Sequence, residues 1–198
     1  MPLPVRAYDR SLNAEIERLL YQAEVVTQEA VGIIADLQPD RWNWRPAPET
    51  WSIAQNFAHL NIVNEQFLKH LEVGIRQGRA DGKLSDGPYS YSMISRWMLR
   101  IVQPPVKRRF QAPKKFQPPQ AMDPAALMSR WHDTHKKLVD LMRDANGLDL
   151  AAIKVTSAVS SLLKYNLGAA FWIMTAHDRR HLHQAREVRN HPNFPKAA

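Results

Sequence analysis

Four long stretches of this chain repeat apolar residues at the period of an amphipathic helix, and none alternates in the manner of a half-buried strand. The first runs roughly from Ser11 to Leu37, with Leu12, Ile16, Leu19, Leu20, Ala23, Val26, Ala30, Ile33 and Ile34 as its apolar positions; Pro39 forbids continuation beyond it. The second opens at Trp51-Ser52-Ile53-Ala54-Gln55. Ser52 followed three residues later by Gln55 is a capping-box signature. Phe57, Leu60, Val63, Phe67, Leu68 and Leu71 carry its stripe to about Gly74 or Gly78.

The third opens at Asp123-Pro124, with Asp as N-cap and Pro at the first helical position, and ends at Asn146-Gly147. Leu127, Trp131, Leu138, Leu141 and Met142 mark its buried face. The fourth starts near Asn166 as N-cap and continues through Phe171, Ile173, Met174, His177 and His181 to about Val188, with Pro192 and Pro195 beyond. A short helix is expected over Tyr91–Val102, and Val155 to Leu163 reads as loop or short helix. Five prolines between Gln103 and Met122 predict a long, extended, basic crossover between the second and third long helices. The pattern predicts an all-α fold, a four-helix bundle forming a single domain over residues 1–198, with essentially no β-sheet.

The chain of 198 residues is long enough for a sizeable core. It has no run of about 18 apolar residues, so no membrane span is expected. The Met-Pro-Leu-Pro-Val-Arg start lacks the apolar stretch of a secretory signal, which favours the cytoplasm. With no cysteine, disulfides, thiolate-bound zinc, iron–sulfur clusters and thiol nucleophiles are excluded. Any metal must use His, Asp, Glu or water. The net charge is +8, and Arg96, Arg100, Lys107, Arg108, Arg109, Lys114 and Lys115 follow one another with no acid among them. The prolines within this run prevent a helix that could enter a groove, and no helix-turn-helix signature is present, so specific nucleic-acid binding is not expected. The run reads as a solvated basic loop.

Eight histidines remain to be sorted. His177 and His181 are four residues apart, about one helical turn, so both imidazoles project from one face and can reach one ion. They share a row with Met174, Gln184 and Val188. His59 lies on the second helix in a similar apolar setting; alone, such a residue serves a core as readily as it serves a metal. His183 faces elsewhere. His132 and His135 are spaced to chelate, but Trp131, Leu138 and Met142 leave His135 at the edge of the buried face. His70 is about 16 Å along the axis from His59, too far to share an ion. His191 sits in a Pro-bounded tail.

Trp51-Ser52-Ile53-Ala54-Gln55-Asn56-Phe57-Ala58-His59-Leu60 resembles the W-S-x-x-x-x-x-x-H-L segment that opens the second helix of DinB-like proteins. Ala176-His177-Asp178-Arg179-Arg180-His181-Leu182-His183-Gln184 resembles their fourth-helix H-x-x-x-H-x-x-Q segment, and the Pro-rich stretch with Ala112-Pro113-Lys114-Lys115-Phe116 is similar to the crossover of the larger, YfiT-type members. The resemblance implies an up-up-down-down bundle with one divalent metal held by His59, His177 and His181. It implies relatives among thiol-dependent S-transferases and isomerases that use low-molecular-weight thiols. It also implies dimers, in keeping with a first helix that carries apolar residues on more than one side.

Three neutral imidazoles would leave such an ion its full charge and open positions, the arrangement of catalytic rather than structural sites. Zinc suits three imidazoles best; nickel, iron and manganese also accept them. Asn56 and Gln184, one turn from ligands, are candidates to orient them by hydrogen bonds. No general base is evident: Asp178 points about 100° from His177, and Glu65 lies off the His59 face. The expected functions are a metal-dependent enzyme, either a thiol S-transferase-like protein or a small hydrolase, or else a metal-binding protein with a sensing or interaction role.

Overall fold

A computed structural model of the chain describes residues 12–103 and 111–195. Ser11, Lys107, Arg108 and Arg109, invoked above, lie outside the described residues. Five helices are present: α1 (Ala14–Ile34), α2 (Ile53–Ala80), α3 (Met93–Val102), α4 (Pro124–Asp144) and α5 (Leu167–Arg189). The local signals place most of their ends. Asn13 caps α1 by accepting from the Ile16 N–H at 2.9 Å. Both halves of the Ser52–Gln55 capping box form. Asp123 accepts from the Ala126 N–H, and Pro124 occupies the first turn of α4.

Two ends differ from expectation, and one expected cap forms no side-chain capping bond. α1 stops at Ile34, before Leu37, because Asp36 takes a left-handed backbone conformation (φ 57°). Arg189 then donates to the carbonyls of Ile33 and Ala35, satisfying acceptors that the helix end leaves open. α2 runs through Gly74 and Gly78, which are there for packing. A Cβ on Gly78 would lie 2.2 Å from Cδ1 of Ile153, so only glycine allows this approach. Asn166 does precede α5, but its side chain caps nothing there. It accepts instead from Ser92 N–H and from the Ser95 hydroxyl, fastening α3 to the start of α5.

The fold is mainly helical but not wholly so. Lys154–Thr156 (β1) and Lys164–Asn166 (β2) pair antiparallel, where loop or short helix was expected. Three residues are too few to display an alternating pattern. The pairing is held by inward-facing Val155 and Tyr165, the latter stacked on Phe67 at 6.5 Å between centroids.

Side-chain pairs set the helix directions. Glu65–Arg130 and Glu72–Lys137 join α2 and α4 in parallel. Glu15–Trp172 and Glu29–Arg179 join α1 and α5 in parallel. Asn56–His181 and Asn64–Asp178 show α2 and α5 to be antiparallel. The long helices therefore run up, down, down, up, and the expected up-up-down-down order is corrected. The long connection from α2 to α4 returns the chain to the end at which α2 began, so those two helices are parallel.

Two apolar clusters fill the interior. One gathers Leu19, Phe67, Leu71, Leu138 and Phe171. The other gathers Val26, Trp42, Phe57, Leu60, Trp131 and Leu182. Each fully buried side chain of this size contributes about 1.5–3 kcal/mol. His59, His177 and His181 fall between the clusters: Leu60 and Leu182 belong to one, Val63 and Ala176 to the other. Among the described residues, no helix is long and apolar enough to cross a membrane.

Candidate metal centre

α2 and α5 bring the three histidines together. The ring centroids of His59, His177 and His181 are 5.3, 4.4 and 4.6 Å apart pairwise. One nitrogen from each ring lies within 4.8 Å of the other two, a group that can hold a metal ion.

The neighbours fix the tautomer of two of the rings. His59 Nδ1 donates to the Phe116 carbonyl at 2.7 Å, which places the proton on Nδ1 and leaves the Nε2 lone pair available. Asn56 Nδ2 donates to the Ser52 carbonyl at 2.9 Å, and this orients the amide. Asn56 Oδ1 then accepts from His181 Nδ1 at 3.2 Å, fixing the same tautomer in the second ring. Gln184 also reaches His181. The third ring is different. His177 Nδ1 is buried with no hydrogen-bond partner among the described residues. Two committed rings and one with an orphaned nitrogen, converging with no carboxylate among the described residues, suit a divalent cation.

Burial keeps all three rings neutral. Desolvation pushes His177 down to about 3, with the charges of His59 and Arg180 adding to the effect. Desolvation also lowers His59 and carries His181 well below the ordinary histidine value. Their lone pairs are thus free of protons at neutral pH. Trp51 covers the pair, 4.9 Å from the His59 ring and stacked on His181 at 5.8 Å.

Three features around the rings were not apparent in the sequence. The Phe116 carbonyl comes from the Pro-rich crossover, expected to be an exposed loop. Lys114 and Lys115 are exposed, but Phe116 is buried, Lys115 Nζ donates to the Ala158 carbonyl, and Gln55 Nε2 donates to the Pro119 carbonyl. The end of the crossover is therefore a wall of the site. Asp178 turns away from the three rings, as its position predicts, but it is fully buried against Asn64 Nδ2 at 2.9 Å. Burial pushes its carboxyl up to about 7. Its polar position beside apolar Met174 and Leu182 was the available signal. Arg180, nearly buried, donates to the Ile101 carbonyl and adds positive charge beside the rings.

The remaining histidines stay apart. His132 and His183 are exposed, and His191 lies against Trp44, at the wall of the cavity the three rings line but outside their group. His135 is buried, not at an edge: its Nε2 lies 3.1 Å from the Ala23 carbonyl and 3.0 Å from the Thr27 hydroxyl.

All three site histidines line one open cavity of about 1140 Å³ that extends to α3, the β-hairpin and the crossover. Among curated proteins and among solved structures, nothing matches the chain. The sequence model of the DinB superfamily matches residues 22–185, a span holding α2, α3, α4, both strands, all three histidines and most of α1 and α5. The chain belongs to the DinB superfamily.

Proposed function

We propose that His59, His177 and His181 bind one divalent metal ion, zinc in the first instance, on a four-helix-bundle scaffold, and that the protein is a metal-dependent enzyme. The observation that carries this reading is the cavity: the three rings open onto a space large enough for a substrate, where a purely structural ion would be enclosed. A divalent ion held by three neutral imidazoles supplies a Lewis acid that lowers the pKa of a ligating thiol or water. The residues of the chain do the rest. Phe116 and Asn56 hold two rings in the ligand tautomer. Trp51 shields one side of the pair from water.

The reaction class that fits is transfer to or from a low-molecular-weight thiol, or a small hydrolysis. Nickel, iron or manganese would occupy the same nitrogens. A non-catalytic metal-binding role is the second reading, favoured because no carboxylate among the described residues joins the three rings. The experiment is elemental analysis of the purified protein, followed by a screen of the metal-loaded protein with several thiols and electrophiles. Turnover that disappears on chelation and returns with metal supports the enzyme; full metal content without turnover across the screen favours the second reading.

Assembly follows from α1, which leaves Tyr21 and Val31 exposed. We read this face as a two-fold contact with a second copy of the chain. Light scattering at micromolar concentration checks it: twice 22.8 kDa is expected, and 22.8 kDa contradicts it.

A further inference from the structure

The cavity at the histidines has two unlike arms. Along α5, His177 and His181 are followed by Gln184 and Glu187 and preceded by Ile173 and Met174, all lining the same space. Because α2 runs antiparallel, Gln55 lies at the Gln184 end and Phe67 at the Ile173 end. Phe67 is eight residues past His59, about 12 Å along the helix. One arm is therefore polar, with Arg45, Gln55, Gln120 and Gln184 on its walls. The other is apolar, walled by Val63, Phe67, Met98, Val159, Leu163 and Ile173 from four separate elements. Few polar groups reach this second arm: the Tyr165 hydroxyl is engaged with Ser157, Arg180 with the Ile101 carbonyl, and Asn64 donates its Nδ2 to Asp178 while its Oδ1 has no partner among the described residues. The three rings stand where the arms meet.

We propose that the apolar arm binds an alkyl or aryl group of the substrate, whose polar, metal-ligating end lies at the histidines. This rests on the metal-enzyme reading above for the placement of the reacting end; the arm itself is argued from its walls. Four elements contribute apolar side chains facing one space, and no charged group there is unengaged. Such a surface gains most from displacing water with hydrocarbon. A wholly polar substrate would leave it wet, and a wholly apolar one would leave the Gln-lined arm unused.

The test uses the zinc-loaded full chain and the neutral fluorophore N-phenyl-1-naphthylamine, displaced by 1-alkanols from butanol to octanol. Zinc stoichiometry is measured on the same samples. Affinity should climb with each methylene, up to about fourfold per carbon. Val159 is half-exposed on the hairpin turn, so Val159→Glu can be made without disturbing the core. It should weaken octanol at least tenfold with zinc unchanged, whereas Val159→Ile and the polar-arm variant Gln120→Glu should keep the series. Zinc bound at one per chain, with no chain-length dependence or with Val159→Glu indifferent, overturns the proposal and leaves the metal reading standing. A series that keeps its slope in protein that takes up no zinc supports the arm and overturns the metal reading instead.

Discussion

His135, His59 and His181 are buried, and His177 is partly so. Desolvation pushes His135 down to about 4 and His177 to about 3, so none carries charge at neutral pH. Their surroundings differ. His135 lies flat on Trp131 at 5.0 Å and spends its Nε2 on the Ala23 carbonyl and the Thr27 hydroxyl, tying α4 to α1. Among the three, the nitrogens fixed by Phe116 and Asn56 are Nδ1 atoms, and the opposite edges converge. Burial and a lowered pKa therefore do not mark a metal ligand. What sets the three apart is that one nitrogen from each ring lies within 4.8 Å of the other two, a convergence His135 does not share.

That contrast can be broken most forcefully at His177. Replacing it with Ala should take zinc from about one per chain to well below one, whereas His135→Ala should keep full zinc. Elemental analysis of both variants decides, and zinc retained by the His177 variant would remove that residue from the ligand set.

Asn56→Ala comes next. It frees the His181 ring without touching a ligand, and loss of such an orienting partner costs roughly 10–100-fold in metal affinity. Competition with a chromophoric chelator reads this; an unchanged affinity would make the Asn56 contact incidental. His135→Ala should instead appear in stability, at about 1–3 kcal/mol in urea unfolding, because it opens a cavity and unties α4 from α1.

The same residue sets a dependence on pH. Unfolded, a histidine titrates near about 6.5. Folded, His135 does so at about 4. Between those values the unfolded chain takes up a proton that the folded chain refuses, so the contribution is neutral above about 6.5 and stability is lost as pH falls. The expected loss is about 1.4 kcal/mol per pH unit for this residue, and His135→Gln should reduce the measured slope by that amount. An unaltered slope would mean that His135 is less desolvated than the fold indicates.

Helix starts were legible because they are local. Ser52 with Gln55, and Asp123 with Pro124, declare themselves within one turn. So does the His177–His181 pair, and the family motif adds His59. Partners chosen by tertiary packing were not legible. A backbone carbonyl carries no sequence signal, so the role of Phe116 emerges only when the crossover folds back onto α2. Gly74 and Gly78 looked like helix ends, because their reason for being glycine is the close approach of Val155 and Ile153, far along the chain. Helix direction depends on which end each connection reaches, which apolar periodicity does not encode. His135 was misplaced at an edge because its acceptors lie on another helix.

The central claim is that three imidazoles converge on one ion with coordination positions left open. X-ray absorption of the zinc-loaded protein at the zinc edge tests it most directly. The account predicts three imidazole ligands at about 2.0–2.1 Å with one or more oxygen donors beside them. A first shell with fewer than three imidazoles, or one closed by a fourth protein nitrogen, would contradict it.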